Sequence, residues 1–361
     1  MKISRLIFLI SEDCNFFCDY CYQTKEKKDM SWETAEKIVT FFLPEMPKAY
    51  QLYFLGGEPL LNVDLIRKIV EYVEKKNLEL KKTCQYNIST NGSLITSEIL
   101  DFFNRNHFSV ELSFDGLAQE KGRKKGSFNQ LLPVIEKLKN LPDIHLLVNS
   151  VFYPKTINYL SESIQFIMDL GVNHISLGLA IDKRWNRPTI KKFENEFKQL
   201  MDILMDHYQE TGNQPLHFFP DLNEKGIWCC SAGQSQITIS AEGEVWGCAR
   251  FYEYFKNRKN SDQYQNYYFG PLDKFIKNQE KKYPELIKNY KQLCLDNFHT
   301  TRSRCFLCPY IEKCGVCPIS SALYWDDLEK VPAHICRINQ IAIREKEKLL
   351  NRIKKIDKCK N

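Results

Sequence analysis

The sequence predicts an α/β fold built on a parallel sheet, and three observations carry that prediction. Short apolar runs alternate with helical patterns six times over residues 4–179. Three of the runs stop at Gly56-Gly57, Asn91-Gly92 and Asp115-Gly116, pairs that reverse a chain. The gaps between runs are helix-long, and a parallel strand pair needs a crossover of that kind.

Residues 4–10 form the first strand, and Ser31 is placed to cap a helix running to about residue 42. Residues 51–55 form the second strand, stopped by Gly56, Gly57 and Pro59. Asn62 is placed to cap the next helix, where Ile66, Ile69, Val70 and Val73 recur at helical spacing. Residues 86–90 form the third strand, and Thr96 caps the helix after it. Residues 109–113 form the fourth, followed by a helix over about 128–139. Strands over 144–152 and 173–179 enclose a helix over about 158–170, and one more helix covers 189–211. Six such units imply a sheet that is either open or curved into a partial barrel. In both, the active site lies at the C-terminal strand ends. The unusual sequences sit there: an early cysteine cluster, Gly56-Gly57-Glu58-Pro59, Thr90-Asn91-Gly92 and Ser113-Phe114-Asp115-Gly116.

The texture changes after Pro215, where aromatics, cysteines and short segments take over, so a domain boundary falls within 215–228. Residues 237–246 read as a β-hairpin turning at Glu242-Gly243, which delivers Cys248 to a strand end.

Composition narrows the function. The 361 residues leave room for one large domain or two modest ones, with 43% hydrophobic residues for a core. Net charge is +6, with no dense basic stripe, which argues against nucleic acid. The tightest basic run, Arg123-Lys124-Lys125, reads as a solvated loop. The apolar run at residues 6–10 is too short for a signal peptide, and no stretch approaches a membrane span. A cytoplasmic address is expected. Fourteen cysteines in a reducing compartment point to metal or cluster binding rather than disulfides. Three lie within residues 14–21, ten lie from 229 onward, and Cys84 stands between.

Cys14, Cys18 and Cys21 have the spacing C-x3-C-x2-C. Three thiolates on one loop hold three corners of a cubane [4Fe–4S] cluster and leave one iron open to a small ligand. Structural zinc takes four ligands, and no fourth Cys or His lies near these three.

This motif, with Tyr20 before the last cysteine, resembles the signature of the radical S-adenosylmethionine (radical SAM) superfamily. The resemblance implies a partial (βα)6 TIM-like barrel over residues 1–215. It implies that S-adenosylmethionine (AdoMet) binds the open iron, that one electron cleaves it, and that a 5′-deoxyadenosyl radical takes hydrogen from the substrate. Gly56-Gly57-Glu58-Pro59 resembles the family segment that binds the cofactor's amino group. Glycine permits close backbone approach, and a carboxylate pairs with an ammonium. Asn91 and Ser113 match segments after strands three and four, so the expected cofactor contacts are Tyr20, Gly56, Gly57, Glu58, Asn91 and Ser113. Gly126-Ser127-Phe128 also recurs in relatives, whereas the His-Asp pair many of them carry after strand four is absent.

The second constellation is Cys230, Gly243, Cys248, then Cys305-x2-Cys308-x5-Cys314-x2-Cys317, then Cys336. It resembles the SPASM domain, here residues 216–361, with one departure: the last central gap has two residues where three is common. The resemblance implies two auxiliary [4Fe–4S] clusters. One would use Cys230, Cys248 and Cys317, and would either take Cys229, or else Cys294, as fourth ligand or keep an open iron. The other would use Cys305, Cys308, Cys314 and Cys336. A zinc ribbon built from the C-x2-C pairs is the competing reading.

Proteins with both parts mostly modify peptides or proteins, so a peptide or protein substrate is expected, giving a crosslink or an oxidised side chain. The expected partners are an electron donor such as flavodoxin or ferredoxin and, because the chain starts directly at strand one, either a separate peptide-recognition protein or the peptide bound directly. The alternatives are sulfatase maturation by formylglycine formation, a small-molecule or haem-pathway radical oxidoreductase, and a non-catalytic iron–sulfur or zinc protein. Sulfatase-maturing relatives carry an Asp after the post-hairpin cysteine, and Ala249 stands there, followed by Arg250.

Overall fold

The computed structural model describes residues 3–218, 229–294 and 305–360. Strands and helices alternate from the start: β1 (Arg5–Ser11), α1 (Trp32–Glu45), β2 (Ala49–Gly56), α2 (Val63–Leu80), β3 (Thr83–Thr90), α3 (Ser97–Arg105) and β4 (Ser109–Ser113). Then come α4 (Gln119–Gly122), α5 (Ser127–Asn140), β5 (His145–Phe152), α6 (Leu160–Asp169), β6 (Ile175–Leu179), α7 (Arg187–Thr211) and β7 (Leu216–Phe218). Neighbouring strands from β1 to β7 pair in parallel and in chain order. This is the expected (βα)6 sheet with a seventh short strand. At three residues after Pro215, β7 is too short to show a period of two in the sequence.

Alternation along β2 shows how the sheet is sided. Tyr50, Leu52 and Phe54 are buried, and Gln51, Tyr53 and Leu55 between them are half-buried. The buried set packs with Ile66, Ile69 and Val70 of α2 in one core. The helix starts follow the capping rules in part. Ser31 accepts from Thr34 N–H, and Thr96 accepts from Ile99 N–H. Asn62 stands at the start of α2 but its side chain makes no capping bond. Glu58 caps the short 3₁₀ turn Pro59–Asn62 instead, because its carboxylate reaches Leu60 N–H.

The remaining elements are β8 (Gln236–Ile239), β9 (Glu244–Trp246), α8 (Ala249–Phe255), α9 (Tyr264–Tyr267), β10 (Tyr268–Pro271), α10 (Leu272–Lys291), α11 (Pro318–Trp325) and α12 (Ala333–Lys360). The predicted hairpin is β8–β9, with Gly243 at φ +78° in its turn. β8 pairs in parallel with β1, so the sheet runs β10-β9-β8-β1-β2-β3-β4-β5-β6-β7. At the far side, α12 lies along α7 through Arg352–Asp202 (2.6 Å), Arg344–Glu194 (2.6 Å) and Tyr208–Asp357 (2.9 Å). No described helix is long and apolar enough to cross a membrane.

Aromatic packing holds the cysteine-rich region. Trp246 is fully buried against Tyr252, Phe255, Tyr264 and Tyr268. Tyr290 is equally buried, stacked on Phe269 at 5.5 Å. Its hydroxyl donates to Tyr267 C=O (2.7 Å) and accepts from Gly247 N–H (3.1 Å). A Cβ on Gly247 would come within 2.5 Å of the Tyr290 ring, so only glycine fits one residue before Cys248. Tyr290→Phe keeps the ring and strands the Gly247 N–H and Tyr267 C=O. The expected cost is about 1–3 kcal/mol, read from urea unfolding of the metal-free protein.

Candidate active site

The cysteine loop between β1 and α1 is tied down mainly by backbone. Gly57 N–H donates to Ser11 C=O and Glu58 N–H to Asp13 C=O, both at 2.8 Å. A Cβ on Gly56 would sit 2.1 Å from Ser11 O, and one on Gly57 would sit 2.2 Å from Asp13 O and 3.0 Å from Cys14 Cβ. The two glycines therefore let the end of β2 touch the start of the cysteine loop. Farther along, Glu12 N–H donates to Lys28 C=O, and Ser11 bridges Asp29, closing the loop at its base.

The end of β3 reaches the same loop by side chain. Asn91 Nδ2 donates to Asn15 Oδ1 at 2.8 Å and lies 3.8 Å from Cys14 Sγ. Asn15 in turn donates to Ser93 Oγ at 2.9 Å. Glu58 joins strands two and three: it accepts from Leu60 N–H (3.0 Å), Thr90 Oγ1 (2.7 Å) and Asn91 N–H (2.7 Å). It is 1% exposed, and burial pushes its carboxyl up to about 7 against these stabilising bonds. No described cation pairs with it.

The end of β4 holds the loop's far side. Tyr20 donates to Asp115 Oδ2 at 2.8 Å and packs on Tyr153 at 5.5 Å. Asp115 also accepts from Arg123 Nε and Nη2 at 2.9 Å each and from Val151 N–H at 2.8 Å. Arg123 is correspondingly buried, which corrects its reading as part of a solvated loop. Its partner lies eight residues back, across a 3₁₀ turn and one turn of helix, so no local pattern reveals the pair. Asp115 and Arg123 occupy the stretch that lacks the relatives' His-Asp pair. Ser113 ends β4 half-buried and makes no side-chain hydrogen bond to a described residue. Gly126 opens α5 at φ +82°, Ser127 accepts from Gln119, and Phe128 packs on Phe114.

The thiols that act on one another fall into three sets. Burial raises Cys18 to about 11, and Cys21 and Cys14 add to the rise. Burial raises Cys230, reinforced by Cys248, Cys317 and Cys229, and it raises Cys248 to about 11, reinforced by Cys317. Burial raises Cys314 to about 12, with Cys336, Cys305 and Cys308 adding to it; Cys305 and Cys336 are raised in the same way. Cys229, which is exposed, pairs by backbone, not by disulfide, in an isolated antiparallel β-bridge with Cys294, which is buried. Amides approach the third set: Asn339 Nδ2 lies 3.5 Å from Cys314 Sγ, and Gln340 Nε2 lies 3.7 Å from Cys308 Sγ. Among the described residues, no three Cys, His, Asp or Glu side chains converge closely enough for a single metal ion. Three or four grouped cysteine thiols are the donor set that a four-iron cluster takes.

A buried ionic network joins the cysteine loop to the C-terminal region. Lys256 Nζ meets Glu12 (3.3 Å), Glu253 (3.0 Å), Glu26 (3.5 Å) and the Thr24 carbonyl (3.0 Å), while Tyr252 donates to Glu12. Sequence reasoning missed this network, Asn15 and Ser93, because isolated polar residues in loops carry no periodic signal.

Comparison with known proteins follows from this geometry. Residues 8–167 match the family described as the radical SAM superfamily. The chain is 31% identical over 256 residues to an uncharacterised protein, MJ0907, of Methanocaldococcus jannaschii, covering 68% of this chain and 85% of that one. It is 24% identical over 325 residues to the radical SAM cyclopropyl synthase TigE of Paramaledivibacter caminithermalis, covering 81% and 68%. Native anSMEcpe, solved with AdoMet and the Cp18Cys peptide, superposes with a TM-score of 0.74 at 19% identity over 98% of this chain and 99% of that one, which shows a shared fold.

The Glu58 carboxyl titrates higher in the fold than in the unfolded chain. Its contribution to stability is full below about pH 4.5 and is lost as pH rises toward 7. The metal-free protein should lose up to about 3 kcal/mol from this group over that range, and Glu58→Gln should not. Denaturant titrations of both proteins at mildly acidic and neutral pH check this; equal losses in the two would contradict it.

Proposed function

The chain belongs to the radical SAM superfamily, and from that premise we propose that it abstracts hydrogen from a peptide or protein substrate and so installs a crosslink or an oxidised side chain. Membership makes it an enzyme and implies one [4Fe–4S] cluster bound with AdoMet. The observation that carries the reading is the meeting of three strand-end motifs on one cysteine loop, through Gly57–Ser11, Asn91–Asn15 and Tyr20–Asp115.

Cys14, Cys18 and Cys21 are the proposed ligands of that cluster. When bound, it supplies the electron that cleaves AdoMet and, through that cleavage, the hydrogen-abstracting radical. The chain's own residues do the rest. Glu58 offers a buried carboxylate to the cofactor's ammonium, and that pairing would favour its ionised form. Gly56 and Gly57 keep side chains out of the junction beneath the cysteine loop. Tyr20, Asp115 and Arg123 form a sealed wall on the loop's other side, and Asn91 and Ser113 complete the proposed cofactor contacts.

The C-terminal region, residues 216–361, is proposed to be a SPASM domain with two auxiliary [4Fe–4S] clusters. Cys230, Cys248, Cys317 and Cys229 would hold the first, and Cys305, Cys308, Cys314 and Cys336 the second. Support comes from the sets in which these thiols act on one another. A peptide substrate is supported by family analogy and by the peptide held in the fold neighbour. An external one-electron donor of the flavodoxin or ferredoxin type completes the scheme. Formylglycine formation is disfavoured, because Ala249 and Arg250 stand where that chemistry's carboxylate base belongs.

Anaerobic reconstitution tests the reading. Wild type should carry about 12 irons and the triple variant Cys14/Cys18/Cys21→Ala about 8, with no zinc. Reduced wild type should cleave AdoMet and the variant should not. Iron near four with zinc present would replace the auxiliary clusters by a ribbon. Glu58→Gln should weaken AdoMet binding by roughly 10- to 100-fold, the worth of one charge-assisted bond, measured by calorimetry on the loaded enzyme.

A further inference from the structure

Arg250 lies two residues after Cys248, in the first turn of α8. Its Nη1 donates to Ser320 Oγ at 3.1 Å, and Ser320 is fully buried three residues after Cys317. Its guanidinium lies over the Tyr22 ring at 4.8 Å, next in sequence to Cys21. Its Nε is enclosed, with no hydrogen-bond partner among the described residues. No described carboxylate comes within ion-pair distance, and the charges that act on it are those of Cys317, Tyr22, Asp182 and Cys248.

A guanidinium enclosed without a carboxylate is costly unless another anion stands close. Cys248 stands two residues before it, and Cys317 three residues before its hydrogen-bond partner Ser320. Cysteine sulfurs become anionic when they take up iron, because ligation deprotonates thiols. A cluster held there would give the guanidinium the negative partner that no described carboxylate supplies at ion-pair distance. The third thiol set is served differently. Its neighbouring cation, Arg337, is exposed, and amide donors from Asn339 and Gln340 approach its sulfurs. Exposed charge is screened by water and salt, whereas enclosed charge is not.

We propose that Arg250 is the built-in counter-charge of the first auxiliary cluster, and that it holds that cluster's reduction potential above the value the cysteines alone would set. A fixed positive charge stabilises the reduced cluster, which carries one more negative charge, over the oxidised one. Arg250 is thus a positioning and tuning residue, acting through the cluster. The inference rests on the assignment of Cys230, Cys248 and Cys317 to a cluster.

The test is an EPR-monitored redox titration of the fully reconstituted, full-length enzyme as wild type, Arg250→Gln and Arg250→Lys. In Arg250→Gln one auxiliary signal should move to a more negative midpoint while the other two clusters stay put. Arg250→Lys should recover most of the shift. Unchanged midpoints in Arg250→Gln, or all three moving together, would overturn the proposal. If Arg250→Gln fails to retain about four irons that Arg250→Lys keeps, the need for charge is supported in stronger form. Loss of those irons from both variants would mark a packing role and overturn it. Iron near four in the wild type is separately diagnostic, since it removes the cluster assignment itself.

Discussion

Everything at the site hangs on the closeness of two backbone segments. The carbonyls of Ser11 and Asp13 occupy the space in which Gly56 and Gly57 would carry side chains. A methyl group at either position would drive β2 and the cysteine loop apart by more than a flexible neighbour could absorb, because the obstructing atoms are backbone. That contact puts Glu58 under the loop, Glu58 then takes hold of Thr90 and Asn91, and Asn91 takes hold of Asn15. The order is causal: a pair of glycines in one turn sets the positions of three strand ends.

The loop's second support comes from far along the chain. Lys256 brings one positive charge to Glu12, Glu26 and Glu253, and two of those acids belong to the cysteine loop. Breaking one side of a buried pair leaves an unmatched charge, which costs far more than the pair contributes. The N-terminal cysteine loop and the cysteine-rich region therefore stay registered to one another. β8 reinforces this by pairing along β1, the strand that feeds the loop. A free edge beside the site is covered by the region that holds the other thiols.

Much of this was legible in the sequence, for identifiable reasons. Strand–helix alternation is a long-range periodic signal, and it located the sheet and its functional edge. Cysteine spacing is a discrete signal, and it set the N-terminal triad apart from the C-terminal cysteines, whose division into two sets came only as what the family resemblance implies. Single polar residues whose partners are distant were not legible. Arg123 looked like surface because its neighbours are lysines, yet its partner Asp115 is enclosed beneath Tyr20. β7 escaped because three residues cannot display alternation. The glycines of Gly56-Gly57 were assigned to the approach of a ligand, and the fold shows them admitting the chain's own carbonyls. Both uses exploit the missing Cβ, and sequence alone does not say which atom fills the space.

The thiol environments show how such a chain can be folded before it is loaded. Burial holds Cys18 and Cys248 near 11 and Cys314 near 12, so they are neutral at physiological pH in the metal-free protein. Neutral thiols can be enclosed at modest cost, whereas several adjacent thiolates could not. The scaffold around Cys14 is built from the chain's own bonds, which run from Gly57 to Ser11, Glu58 to Asp13 and Asn91 to Asn15. Arg250 and Glu58 depart from this neutral design. Neither has an opposite charge in ion-pair contact among the described residues, and each is proposed to meet one in the loaded enzyme, Arg250 at a cluster and Glu58 at the cofactor's ammonium.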